Sequence, residues 1–88
     1  MNNRDKLRML KGKTAVAIGK MADNVVLIAN LHDKSFANNC FTFLCGACRI
    51  YKFMLDTEVN DYEIARRAIE SSCSRHGLDF DEIAKYIW

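Results

Sequence analysis

Proline is absent from the 88 residues and glycine occurs only four times. That excludes long Pro/Gly-rich linkers and the turn-dense composition of a β-sandwich. No apolar run exceeds the five residues 25–29, far short of a bilayer-crossing segment. The first thirteen residues are charged and lack the apolar stretch of a secretory signal, so the chain is expected to be intracellular, in the cytoplasm, with no membrane partner. In that compartment the four cysteines are expected to stay reduced, despite their even number. Acidic side chains are also scarce at one end. Residues 1–20 hold six lysines and arginines against one aspartate, whereas residues 53–88 hold four basic and eight acidic side chains. The net charge of only +2 therefore hides a polar distribution.

Half of the residues are hydrophobic, which is enough for a folded domain and excludes disorder by composition. The length suits one domain, 1–88, with 1–12 as a candidate protruding basic arm. So short a chain buries a modest core and is often helped by a metal or by oligomerisation.

Residues 12–31 admit two readings. The β-branched residues of 14–18 and 25–31, with Asp23-Asn24 between them, suit a β-hairpin and an α+β fold. Against this, Ile18, Met21, Ala22, Val25, Ile28, Ala29 and His32 share one side of a helix. Leu7, Leu10 and Thr14 continue that stripe in phase, and only Val16 and Leu27 fall on the wrong face. A hairpin requires no such coherence, so the helix is preferred. Gly12 and Gly19 each weaken it by about 1 kcal/mol and mark candidate breaks. An unbroken helix from Arg4 to His32 would run roughly 44 Å, longer than the roughly 30 Å globule expected for this chain, so its first turns must kink or protrude.

A second helix is expected from Ser35, as N-cap, to Leu55. Its apolar arc is centred on Phe36, Cys40, Phe43, Ala47, Ile50 and Met54, and Phe41, Leu44, Cys48, Tyr51 and Leu55 widen it. A helix apolar over so much of its circumference is either central to the domain or part of a subunit interface. Asn60 with Glu63 marks the start of a third helix, and Gly77 with Leu78 marks its end. Its expected inner face is Tyr62, Ala65, Ile69, Ser72, Cys73 and His76. Asp79 and Glu82 open a fourth helix, from Phe80 to about Ile87, with Trp88 over one end of the core. The expected fold is all-α, a compact three- to four-helix domain with a basic N-terminal helical extension.

Cys45, Cys48, Cys73 and His76 form C-x-x-C and C-x-x-H pairs, the spacing of a structural zinc site. With helices two and three antiparallel, however, Cys48 and His76 lie about 9 Å apart along the axes, too far for short side chains to share an ion. Core cysteines are the plainer reading, with no cofactor. Lys6, Lys13 and Lys20 recur every seven residues along one flank of the first helix, with Lys11 on another. They are either a solvated face or an anion-binding stripe for nucleic acid or nucleotide phosphates. No catalytic constellation is recognisable. The expected function is that of a small non-enzymatic interaction or regulatory protein, acting on a partner protein or on itself as a homo-oligomer, with Phe41, Tyr51 and Phe53 as interface residues. The phosphate-binding stripe and a zinc-stabilised module are the alternatives.

Overall fold

The computed structural model describes residues 2–88. Four helices follow in order: α1 (Asn3–Asn30), α2 (Lys34–Leu55), α3 (Asp61–His76) and α4 (Phe80–Ala84). There is no strand among the described residues. The all-α reading holds, and the hairpin alternative for residues 12–31 is overturned because that segment is helical throughout, but for its last residue in the turn. The physical reason is the in-phase stripe. Ile18, Ala22, Val25, Val26 and Ala29 are buried on one side of α1, whereas a hairpin would send alternate residues of this segment to opposite faces. Gly12 and Gly19 sit inside α1 without breaking it.

α1 is roughly 42 Å long at about 1.5 Å per residue, and the molecule measures 46 × 22 × 18 Å. No residue of α1 before Ile18 is buried, so the first half of the helix runs past the core. Asn2 caps it, its side chain accepting from the Asp5 amide at 2.8 Å.

Local signals fix the remaining boundaries. Asp33 caps α2 by accepting from the Phe36 amide, two positions before the expected Ser35 cap. Asn60 accepts from the Glu63 amide at 2.8 Å, and Gly77 closes α3 at φ 65°. The Leu78 amide then donates to the Cys73 carbonyl and the Gly77 amide to that of Ser74, which completes a Schellman motif. α4 ends sooner than expected, at Ala84, and residues 85–87 form a turn. Asn38 on α2 donates to the Ile87 carbonyl at 2.8 Å and holds that turn against the domain.

α1 packs on both α2 and α3, α2 packs on α3, and α4 closes one end. Ile18, Ala22, Val25, Leu44, Ile69 and Ile87 are among the side chains at the centre. Trp88 covers the core beside Phe41, with ring centroids 5.0 Å apart and edge to face.

Candidate interaction surface

The wide apolar arc of α2 divides in two. Ala37, Phe41, Leu44 and Cys48 are buried against α1 and α3. The expected centre of the arc lies outside that core: Phe36 is 53% exposed, Phe43 74% and Ile50 58%. Cys40, Ala47 and Met54 are half-buried between the two sectors. These six positions alternate by four and three residues, the narrow stripe of a coiled-coil seam rather than of a globular core.

α1 carries a matching row. Leu7, Leu10, Thr14, Ala17, Met21 and Asn24 alternate by three and four. Met21, Asn24, Cys40 and Phe43 line one shallow groove of about 130 Å³. Met21 therefore stands level with Phe43, and Asn24 with Cys40. Counting along antiparallel helices, Ala17 is level with Ala47, Thr14 with Ile50 and Leu10 with Met54. Inside this face, Thr14, Met21, Cys40, Ala47 and Met54 are half-buried, while outward Leu10, Ala17, Asn24, Phe36, Phe43 and Ile50 are exposed. None of the twelve positions carries a charge.

Of the expected interface residues, Phe53 is 77% exposed and Tyr51 half-buried. Phe41 is corrected: at 5% exposure it is a core residue, edge-to-face against both Tyr62 and Trp88. The arc on a helical wheel could not show that α3 and the C-terminal turn would close over that side.

Lys6, Lys13 and Lys20 are exposed on the outer flank of α1, and Lys11 is half-buried. Arg4, Leu7, Arg8 and Lys11 line a second depression on the same helix. None of these cations forms an ion pair among the described residues.

The proposed zinc ligands are not brought together, and no group of three or more possible ligands exists among the described residues. Cys48 and Cys73 are buried, and Cys45 is half-buried in mid-helix. Burial, with smaller contributions from Cys45 and Asp61, pushes the Cys48 thiol up to about 12. Burial also raises Cys45, helped by Asp61, and raises Cys73, helped by Asp79 and Glu70. Thiols held protonated in this way are poor nucleophiles. His76 instead places Nδ1 2.8 Å from the Ser72 carbonyl oxygen.

One polar cluster escaped sequence reasoning. Ser72, fully buried, donates to Asp23 at 2.6 Å, and Arg75 donates to the same carboxylate oxygen at 2.7 Å. The Ser72 hydrogen bond is the main cause that holds the Asp23 carboxyl below its ordinary value, with Arg75 and His76 adding and desolvation opposing. A lowered folded-state pKa stabilises the fold above the ordinary carboxylate value, and that contribution is lost as pH falls through the lowered one. The cluster ties α1 to α3 and so orients the outer face of α1. Asp23 and Ser72 are 49 residues apart, and no spacing rule pairs them.

Neither a protein-family model, nor a curated protein, nor a solved structure matches the chain.

Proposed function

We propose that the protein is a small, non-enzymatic interaction protein that acts by binding a macromolecule through the face formed by α1 and α2, and that it works as a homo-oligomer. The observation that carries this reading is the pair of level, uncharged rows ending in the exposed side chains of Leu10, Phe36, Phe43 and Ile50. Contiguous apolar surface of this kind marks sites of macromolecular contact. Regulation or inhibition would follow from occupying a partner's surface. No helix among the described residues is long and apolar enough to cross a membrane, so the face is not read as part of a span.

Site-specific photo-crosslinking in cells tests the reading. A photoreactive side chain in place of Phe43 or Ile50 should give discrete macromolecular adducts. The same group in place of Arg67, exposed on α3, should give none. Absence of adducts from both apolar positions overturns the reading.

The cations of α1, which form no ion pair among the described residues, favour a second reading, in which Lys6, Lys11, Lys13 and Lys20 bind phosphate-bearing ligands such as nucleic acid or a nucleotide. Binding of a labelled oligonucleotide should then weaken steeply with salt. Affinity that survives Lys13→Glu together with Lys20→Glu rejects it.

A further inference from the structure

We infer that the α1/α2 face docks a second copy of this chain, two copies closing face to face as a four-helix bundle in which α1 of each lies over α2 of the other. This rests on the interaction reading above and deepens it by naming the occupant and its orientation.

Shape is the first ground. A helix–helix layer with coiled-coil rows is half of a four-helix bundle. The side chains of the outer rows stand free, and the chain's own α3 lies on the other side of α1, tied there through Asp23. With α1 over α2, level for level, Phe43 of one copy enters the space between Ala17, Met21 and Asn24 of the other. Ile50 enters the space between Leu10, Thr14 and Ala17. The small Ala17 is what opens both spaces. Large side chains on α2 thus meet small or flexible ones on α1, the complementarity that knobs-into-holes packing needs.

Area is the second. The exposed parts of Leu7, Leu10, Phe36, Phe43, Ile50 and Phe53 come to roughly 700 Å² per copy, from their fractional exposures and the size of such side chains. A stable interface buries about 800 Å² per partner. The half-buried inner rows supply the remainder. A single docked helix would cover only part of this width, whereas a second two-helix face covers it all.

Charge selects the orientation. The outer flank of α1 carries Lys6, Lys13 and Lys20, and the outer flank of α2 carries Asn39, Gly46 and Phe53. Packing α1 over α1 would set two lysine rows side by side. Packing α1 over α2 sets each lysine row along an uncharged flank, where Gly46 leaves room for a lysine stem. The lysines then keep their charged ends in water while their stems cover apolar surface.

The test is sedimentation equilibrium of the full chain across the micromolar range, with disulfide trapping. The wild-type chain should be a dimer. Phe43→Glu should weaken self-association by at least about 100-fold, as expected of a central buried aromatic anchor, with unchanged helical content because position 43 is exposed. Ile50→Glu serves as the second variant. With the half-buried Cys40 and Cys45 replaced by serine, Lys20→Cys combined with Gly46→Cys should form an intermolecular disulfide that neither single variant forms, since these flanks lie on opposite edges of one copy. Disulfide formation by Lys20→Cys alone would overturn the orientation. A dimer indifferent to both glutamate variants would overturn this face as the contact. A monomer at every concentration would overturn the second copy as occupant. In that last case, photo-crosslinks from position 43 to a different macromolecule would leave the interaction reading standing.

Discussion

Phe41→Ala should cost the fold about 3–5 kcal/mol, the usual result of emptying a buried phenylalanine site. Its ring is buried and makes edge-to-face contacts with Tyr62 at 5.6 Å and Trp88 at 5.0 Å, so the substitution loses transfer free energy, aromatic contacts and packing together. A chain of this length has a total stability of about 4–13 kcal/mol, so the loss is a large fraction of the whole. Phe43→Ala, two residues further along the same helix, should cost less than about 1 kcal/mol in the isolated chain, because its ring already faces water. Urea unfolding followed by far-UV circular dichroism measures both. The comparison belongs at low protein concentration, since self-association through Phe43 would add stability by mass action. Equal costs at the two positions would contradict the division of α2 into a core side and an exposed side.

Trp88→Ala should have the second largest effect, about 2–4 kcal/mol, set below a fully buried tryptophan because Trp88 is half-buried. The indole is a joint between elements. It touches Phe41 of α2, Tyr62 of α3 and Phe80 of α4, and the Arg66 guanidinium lies 5.8 Å from its ring. Removing it detaches the last turn from α3 as well as exposing Phe41. Trp88→Phe should cost less than about 1 kcal/mol. A phenyl ring keeps the stacking surface, and the change removes an indole N–H that is buried without a partner among the described residues. Because Trp88 and Phe41 are in contact, the double alanine variant should lose less than the sum of the two single losses. The same urea titrations measure all three, and a Trp88→Phe loss as large as that of Trp88→Ala would show that the contacts named here are not what matters.

How far each feature was legible depends on the range of the interaction that makes it. Caps and turns are local. Asn60 with Glu63 and Gly77 with Leu78 behave as their spacing implies, because each bond closes within a few residues. Asp33 displaced Ser35 as the α2 cap because two short polar side chains competed within one turn. The α1 stripe was legible from Ile18 to Ala29, and its two mismatched residues, Val16 and Leu27, are indeed exposed. Its continuation through Leu7 and Leu10 was legible too, but the implied burial was not realised within one copy, where those residues face water.

Distance in sequence defeated the rest. The Asp23–Ser72–Arg75 cluster joins residues about fifty positions apart, and nothing near either end announces it. Cys45, Cys48, Cys73 and His76 are the opposite case, a suggestive spacing that the sequence itself already set against the axial offset of two antiparallel helices.

What the sequence by itself determined is the set of helices, the caps of α3, the N-cap of α4 and the unusual width of the apolar arc on α2. Those follow from periodicity and from bonds that close within a turn. Only the tertiary structure decided which sector of α2 is core. α3 and the C-terminal turn cover Phe41, Leu44 and Cys48, which leaves Phe36, Phe43 and Ile50 beside the free row of α1. Periodicity measures the width of an apolar arc. Which part of that arc is buried depends on where the neighbouring helices lie, and that is set by packing among residues far apart in the chain.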